Sequence, residues 1–87
     1  MIKVIRFTSM KCEPCKTLAP IFDQLKVQYT GRAQFQSVDV DFNKEFANQK
    51  FINSVPTIII ERDGIEVNRI VGVRPKATYE TLINAIH

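Results

Sequence analysis

Phe7-Thr8-Ser9-Met10-Lys11-Cys12-Glu13-Pro14-Cys15-Lys16 is the stretch that decides the reading of this chain. It sets a Cys-x-x-Cys pair after an apolar run and at the start of a segment with helical periodicity. That spacing at a helix start lets the two sulfurs meet. It also turns the first thiol toward the positive end of the helix dipole, which favours a thiolate and makes a nucleophile. The competing chemistry is half of a zinc site, which needs two further ligands. The sequence has no third cysteine and a single histidine, His87, at its C-terminal end. Redox chemistry is the expectation and no metal is assigned; a metal shared across a dimer stays open.

Upstream of the pair, Ile2 to Thr8 is largely apolar, with β-branched Ile2, Val4 and Ile5. It predicts a strand buried on both faces, with Arg6 as the anomaly. Downstream, Leu18, Ile21, Phe22, Leu25 and Tyr29 follow the apolar spacing of an amphipathic helix. Pro20 lies inside that pattern and predicts a kink, and Thr30-Gly31 predicts the stop. Residues 33–40, with Phe35, Val38 and Val40, predict a second strand. Asp41 or Asn43 is placed to cap a short helix carrying Phe42, Phe46 and Ala47 on one side, ended by Asn53-Ser54. Val55 to Ile60 predicts a third strand. Asp63-Gly64 is a hairpin signal that returns Glu66 to Val71 antiparallel, and Gly72 closes the hairpin. Tyr79, Leu82, Ile83 and Ile86 mark a last amphipathic helix.

The predicted order is β-α-β-α-β-β-α. A helix between the first two strands makes them parallel with a right-handed crossover, and the last two strands pair as a hairpin. The result is an α/β fold with one four-stranded mixed sheet and flanking helices. No repeat, linker or composition shift divides the chain, so residues 1–87 read as a single domain.

A chain of 87 residues buries roughly 60–65% of its unfolded surface, enough for one small core. The net charge of +3 is mild, and the basic residues are scattered. That argues against nucleic acid and for a positive surface suited to acidic protein partners. No stretch is long enough to span a bilayer, and the charged N-terminus reads as a strand and not as a signal peptide. A cytoplasmic setting follows, where a lone cysteine pair is more often catalytic than structural. A loop this short also removes little entropy from the unfolded chain, so the pair is a poor staple.

Phe7 to Lys16 followed by Leu18-Ala19-Pro20 resembles the active-site strand, loop and kinked helix of thioredoxins. Val55-Pro56-Thr57 is similar to the family's cis-proline loop. Arg62-Asp63-Gly64 and Val71-Gly72 are similar to its hairpin turn and to the glycine that closes its substrate groove. The resemblance runs over nearly the whole chain and implies a minimal thioredoxin fold lacking the first strand and helix of full-length members. It implies Cys12 as nucleophile, Cys15 as resolving thiol, a redox-active Cys12–Cys15 disulfide and no bound cofactor. It implies a cis Val55–Pro56 bond beside Cys12, with substrate lying along Val55, Pro56 and Gly72. Met10, Pro14, Val55 and Val73 are the expected apolar rim.

Local chemistry adds tuning groups. Lys11 and Lys16 favour a Cys12 thiolate and Glu13 opposes it, while Pro14 starts the helix and stiffens the pair. Thioredoxins carry Trp-Cys-Gly-Pro-Cys, whereas this chain has Lys11 before the pair, Glu13 inside it and no tryptophan. The family's buried aspartate, assigned a proton-transfer role, aligns with Arg6, and its lysine partner aligns with Ser37. A guanidinium on a central strand needs a partner. The expectation is an Arg6–Asp39 ion pair under the active site, with Arg6 also favouring the Cys15 or Cys12 thiolate; the alternative is an Arg6 that reaches past the strand end to water.

The leading function is a monomeric protein-disulfide reductase of the thioredoxin kind, with clients such as ribonucleotide reductase and a flavin-dependent thioredoxin reductase as electron source. A glutathione-dependent glutaredoxin is the second reading, supported by chain length and Ser54-Val55-Pro56. Val71-Gly72-Val73-Arg74 stands where glutaredoxins have the element that holds glutathione, which weakens it. A non-catalytic binding module on the same fold is the third, and the presence of both cysteines argues against it. Neither nucleic acid nor a membrane is an expected partner.

Overall fold

The computed structural model describes residues 1–86. Strand β1 (Ile2–Thr8) leads into helix α1 (Glu13–Gln28), strand β2 (Ala33–Asp39) and short helix α2 (Lys44–Gln49). Strands β3 (Thr57–Arg62) and β4 (Ile65–Val71) and helix α3 (Lys76–Asn84) complete the chain. The sheet order is β2-β1-β3-β4, with β1 parallel to β2 and antiparallel to β3, and β3 antiparallel to β4. Element order and sheet type are those the apolar periodicities predict.

Strand alternation sorts the core into two layers. Val4, Ile58, Ile60 and Ile70 face α1 and α3, packing on Leu18, Phe22, Leu25, Tyr29, Tyr79 and Ile83. Ile5, Phe7, Val38 and Ile59 face the other way, with Phe46, Ile52 and Val55 packed against them. The Tyr29 hydroxyl donates to Asn84 Oδ1 at 2.9 Å, which ties α1 to α3. Pro20 is inside α1, which continues through it to Gln28.

The β3–β4 hairpin turns on Asp63 (φ 52°) and Gly64 (φ 85°). Two successive positive φ values are the backbone of a two-residue hairpin turn whose twist matches the strands. Further along, the register shifts: Ile60 pairs with Asn68 but Glu61 pairs with Glu66, leaving Val67 as an extra residue in β4. Residues three apart on a regular strand point to opposite faces. The bulge brings Glu66 and Arg69 to the same face, where Arg69 Nε meets Glu66 Oε2 at 2.8 Å.

The segment between β2 and β3 departs from expectation. Phe42 lies before α2 and is 80% exposed, so it does not share the apolar side formed by Phe46 and Ala47. Asn43 occupies the N-cap position, yet its side chain donates to the Asp39 carbonyl at 2.9 Å instead of capping the helix. The helix ends at Gln49 and not at Asn53-Ser54, because Phe51 takes a left-handed φ of 57°. That turn is held from outside: Arg69 donates to the carbonyls of Lys50 (2.7 Å) and Phe51 (3.0 Å). The strand expected from Val55 begins two residues later, at Thr57.

Candidate active site

The site lies where β1 ends and α1 begins. Cys12 is the N-cap of α1, in extended conformation (φ −104°, ψ 113°), and its sulfur accepts the Cys15 backbone N–H at 3.2 Å. This supplies one of the donors that every helix start leaves unpaired. It also places Cys12 Sγ at the N-terminal end of the helix, where the helix dipole favours negative charge. Pro14 sits in the first turn, where its missing N–H leaves no helical bond unmade.

The two cysteines are joined as a disulfide, with Cα atoms 5.3 Å apart. They differ sharply in exposure. Cys12 is half-buried at the surface, whereas Cys15 is 2% exposed, turned inward by one helical turn. A partner sulfur can approach Cys12 but not Cys15. Val55 O lies 3.6 Å from Cys12 Sγ, and the Val55–Pro56 bond is cis. Thr57 Oγ1 donates to Ser54 O (2.8 Å) and Gly72 N–H donates to Pro56 O (2.9 Å), fixing this loop on both sides. Gly72 has φ 87°, so it takes a backbone form that a side chain disfavours.

Lys16 Nζ bonds Glu13 Oε1 at 3.1 Å, so these two charges answer each other on the helix surface. Lys11 is exposed beside the pair. Of the expected apolar rim, Met10 is 77% exposed and lines the same cleft as Cys15, Pro14 is exposed in the first turn of α1, Val73 packs against the core of the α1/α3 face, and the Val55 carbonyl meets Cys12 Sγ.

The Arg6–Asp39 ion pair does not form. Arg6 stands opposite Ser37 in the parallel register, while Asp39 stands opposite Thr8. Arg6 Nε and Nη2 both donate to Ser37 Oγ, at 3.2 and 2.9 Å, and the guanidinium lies 4.8 Å over the Phe22 ring. Asp39 Oδ1 instead accepts the Asp41 N–H at 2.9 Å. The face was predicted correctly, but the partner is one alternation away. Ser37, the position that aligns with the lysine partner of the family's aspartate, is thus the residue Arg6 meets; the expected ion pair passed over it because the register of β1 against β2, with Val4 opposite Phe35, is set by the fold. Arg6, Ser9, Met10, Cys15, Lys16 and Asp39 are among the residues lining an open cleft of about 300 Å³ on the Cys15 side of the disulfide.

Among the described residues, no group of three His, Cys, Asp or Glu side chains is placed to hold a metal ion. His87, the one histidine considered as a ligand, lies outside the described residues. Among the described residues, no helix is long and apolar enough to cross a membrane.

A family model described as Thioredoxin matches residues 1–85. The chain belongs to the thioredoxin family. It is 37% identical over 75 residues to a thioredoxin of Staphylococcus epidermidis, an alignment covering 86% of this chain and 72% of that one. A Staphylococcus aureus thioredoxin is 36% identical over the same coverage. Among solved structures, a thioredoxin mutant from Halobacterium salinarum superposes with a TM-score of 0.91 at 28% identity, covering 97% of this chain and 73% of that one. Oxidized mitochondrial thioredoxin 3 of Saccharomyces cerevisiae gives 0.88 at 27% identity, covering 98% and 78%. Thioredoxin membership and the Cys12–Cys15 pair make this chain a protein-disulfide oxidoreductase whose redox group is its own disulfide.

Proposed function

We propose that this thioredoxin-family chain, acting as one monomeric domain over residues 1–87, reduces protein disulfides by dithiol exchange. The observation that carries the reading is the asymmetry of the pair: a reachable Cys12 at the helix start and a buried Cys15. The Cys12 thiolate attacks a substrate disulfide and forms a mixed disulfide, releasing the first substrate thiol. Cys15 then attacks Cys12 Sγ, closes the intramolecular disulfide and releases the second thiol. The substrate gains two electrons and the Cys12–Cys15 pair loses two. Val55 O beside Cys12 supports a substrate strand lying along Val55, Pro56 and Gly72 with main-chain bonds.

The closed disulfide must be reopened by an electron donor. A flavin-dependent thioredoxin reductase in the cytoplasm fits this reading, with ribonucleotide reductase as one type of client. Glutathione is the competing donor, and parallel assays with either reductase separate the two. The decisive test is reduction of insulin disulfides by the wild type and by Cys12→Ser and Cys15→Ser variants. Cys12→Ser is expected to lose activity on the order of a thousandfold or more. Cys15→Ser is expected to accumulate a mixed disulfide with substrate. A wild type no faster than a variant carrying both Cys12→Ser and Cys15→Ser would overturn the proposal.

A further inference from the structure

The cleft on the Cys15 side of the disulfide holds a charge that the exchange cycle leaves unassigned. The Arg6 guanidinium is braced by Ser37 Oγ and by the Phe22 ring, neither of which neutralises it. Among the described residues, no carboxylate lies within 4.0 Å of it. Burial lowers its pKa, and Asp23, exposed on α1, offsets this only in part. A half-buried cation with no carboxylate in contact is an unfinished arrangement.

The cycle creates an anion in the same cleft. When Cys12 carries substrate as a mixed disulfide, Cys15 must lose its proton before it can attack. Cys15 is almost wholly buried, so water does little to stabilise its thiolate. The other charges around it do not fill the role. Lys16 is engaged by Glu13, both on α1, and Lys11 stands exposed before the helix. Asp39 on β2 is itself negative and opposes a second negative charge.

We propose that Arg6 is the counter-ion of the Cys15 thiolate, so that a fixed positive charge, and not a carboxylate base, readies the resolving sulfur. In the mixed disulfide, the Cys15 thiolate attacks Cys12 Sγ. The Cys12–Cys15 bond forms, the bond from Cys12 to substrate breaks, and the electron pair leaves on the substrate sulfur, which takes a proton from solvent. No further reductant enters the step. Arg6 is a positioning residue that acts through Cys15, with Ser37 and Phe22 setting its direction. The inference rests on the reading of Cys15 as the resolving thiol.

Cys12→Ser leaves Cys15 as the only thiol, and its ionisation is then read by ultraviolet thiolate absorbance against pH. Adding Arg6→Gln is expected to shrink the thiolate fraction roughly tenfold at a pH below the midpoint. Arg6→Lys is expected to restore most of it, because the charge returns. Ser37→Ala, which keeps the charge and removes its brace, is expected to give a smaller loss of the same sign. An Arg6→Gln titration that matches the parent, or an Arg6→Lys titration that matches Arg6→Gln, would overturn the proposal. If Arg6→Gln does not fold, Ser37→Ala decides, and an unmoved curve there overturns it. An unmoved titration leaves the insulin assay of Cys12→Ser and Cys15→Ser standing, whereas failure of that assay sinks the exchange cycle itself.

Discussion

The two faces of the sheet each carry a charge in a place where charge is costly, and they treat it in opposite ways. On the α2 face, Glu61 is 6% exposed and is met by Lys50 Nζ at 3.1 Å. Beside it, Arg69 bonds Glu66 and closes the end of α2 through two carbonyls. On the α1 face, Arg6 is half-buried with a hydroxyl and a ring but no carboxylate. Acid is matched with base where the charges only hold elements together. The unmatched charge lies in the cleft shared with the redox sulfur. The contrast teaches that a charge left over after the structural pairs are counted is the one to examine for chemistry.

The largest test of that contrast is to break the matched pair. Lys50→Met removes the ammonium that meets Glu61 and lies 5.8 Å from the centre of the Phe46 ring, and leaves the Glu61 carboxylate buried and alone. It is expected to cost about 2 kcal/mol, less than the roughly 3–5 kcal/mol of a fully buried pair because Lys50 is partly exposed. A domain of this size should then melt about 10 °C lower. Adding Glu61→Leu should recover most of the loss, since a well-packed apolar pair replaces charges well. Lys50→Met with an unchanged melting temperature would show that the two faces do not differ in this way.

A smaller effect is expected on the opposite face. Arg6→Gln loses the bonds to Ser37 and the ring contact but also removes a half-buried charge that Asp23 offsets only in part. The net change in chemical-denaturation stability should be under about 1 kcal/mol in either direction. A loss as large as that of Lys50→Met would make Arg6 a structural residue.

The smallest effect is a pH dependence at the hairpin. Hydrogen bonds from Arg69 hold the Glu66 pKa below the ordinary glutamate value, with partial desolvation opposing them. A carboxylate depressed in the folded state contributes stability above its unfolded pKa and loses it as pH falls through the folded value. Glu66 is more than a third exposed, so water screens the pair and the contribution is about 0.5 kcal/mol. Glu66→Gln should therefore be slightly less stable than wild type at neutral pH. The gap should close in acid, below about pH 4. A gap constant across the acid range would remove the ion pair from the account.

Much of the fold was legible along the chain. The strand at Ile2–Thr8, the long helix after the cysteines, the Asp63-Gly64 turn and the last helix each follow from a local period or a local backbone preference. The end of α2 was not legible, because it is set by Arg69, a residue on another strand brought into reach by the bulge at Val67. Phe42 misled for a similar reason: it has helical spacing to Phe46 but lies outside the helix and faces solvent. At the site, the identity of the two sulfurs and the order of their exposure follow from being one helical turn apart at a helix start. The partner of Arg6 does not, since Ser37 and Asp39 share a face and only the register of β1 against β2 chooses between them.

The sequence by itself determined that this chain makes a mixed sheet and carries an exchangeable pair of thiols, because periodicity, turn residues and the Cys12-Glu13-Pro14-Cys15 spacing act over a few neighbouring residues. The tertiary structure alone decided which charges are answered and which is not. Pairing across strands depends on register, and a shift of a single alternation moves a guanidinium from a carboxylate to a hydroxyl.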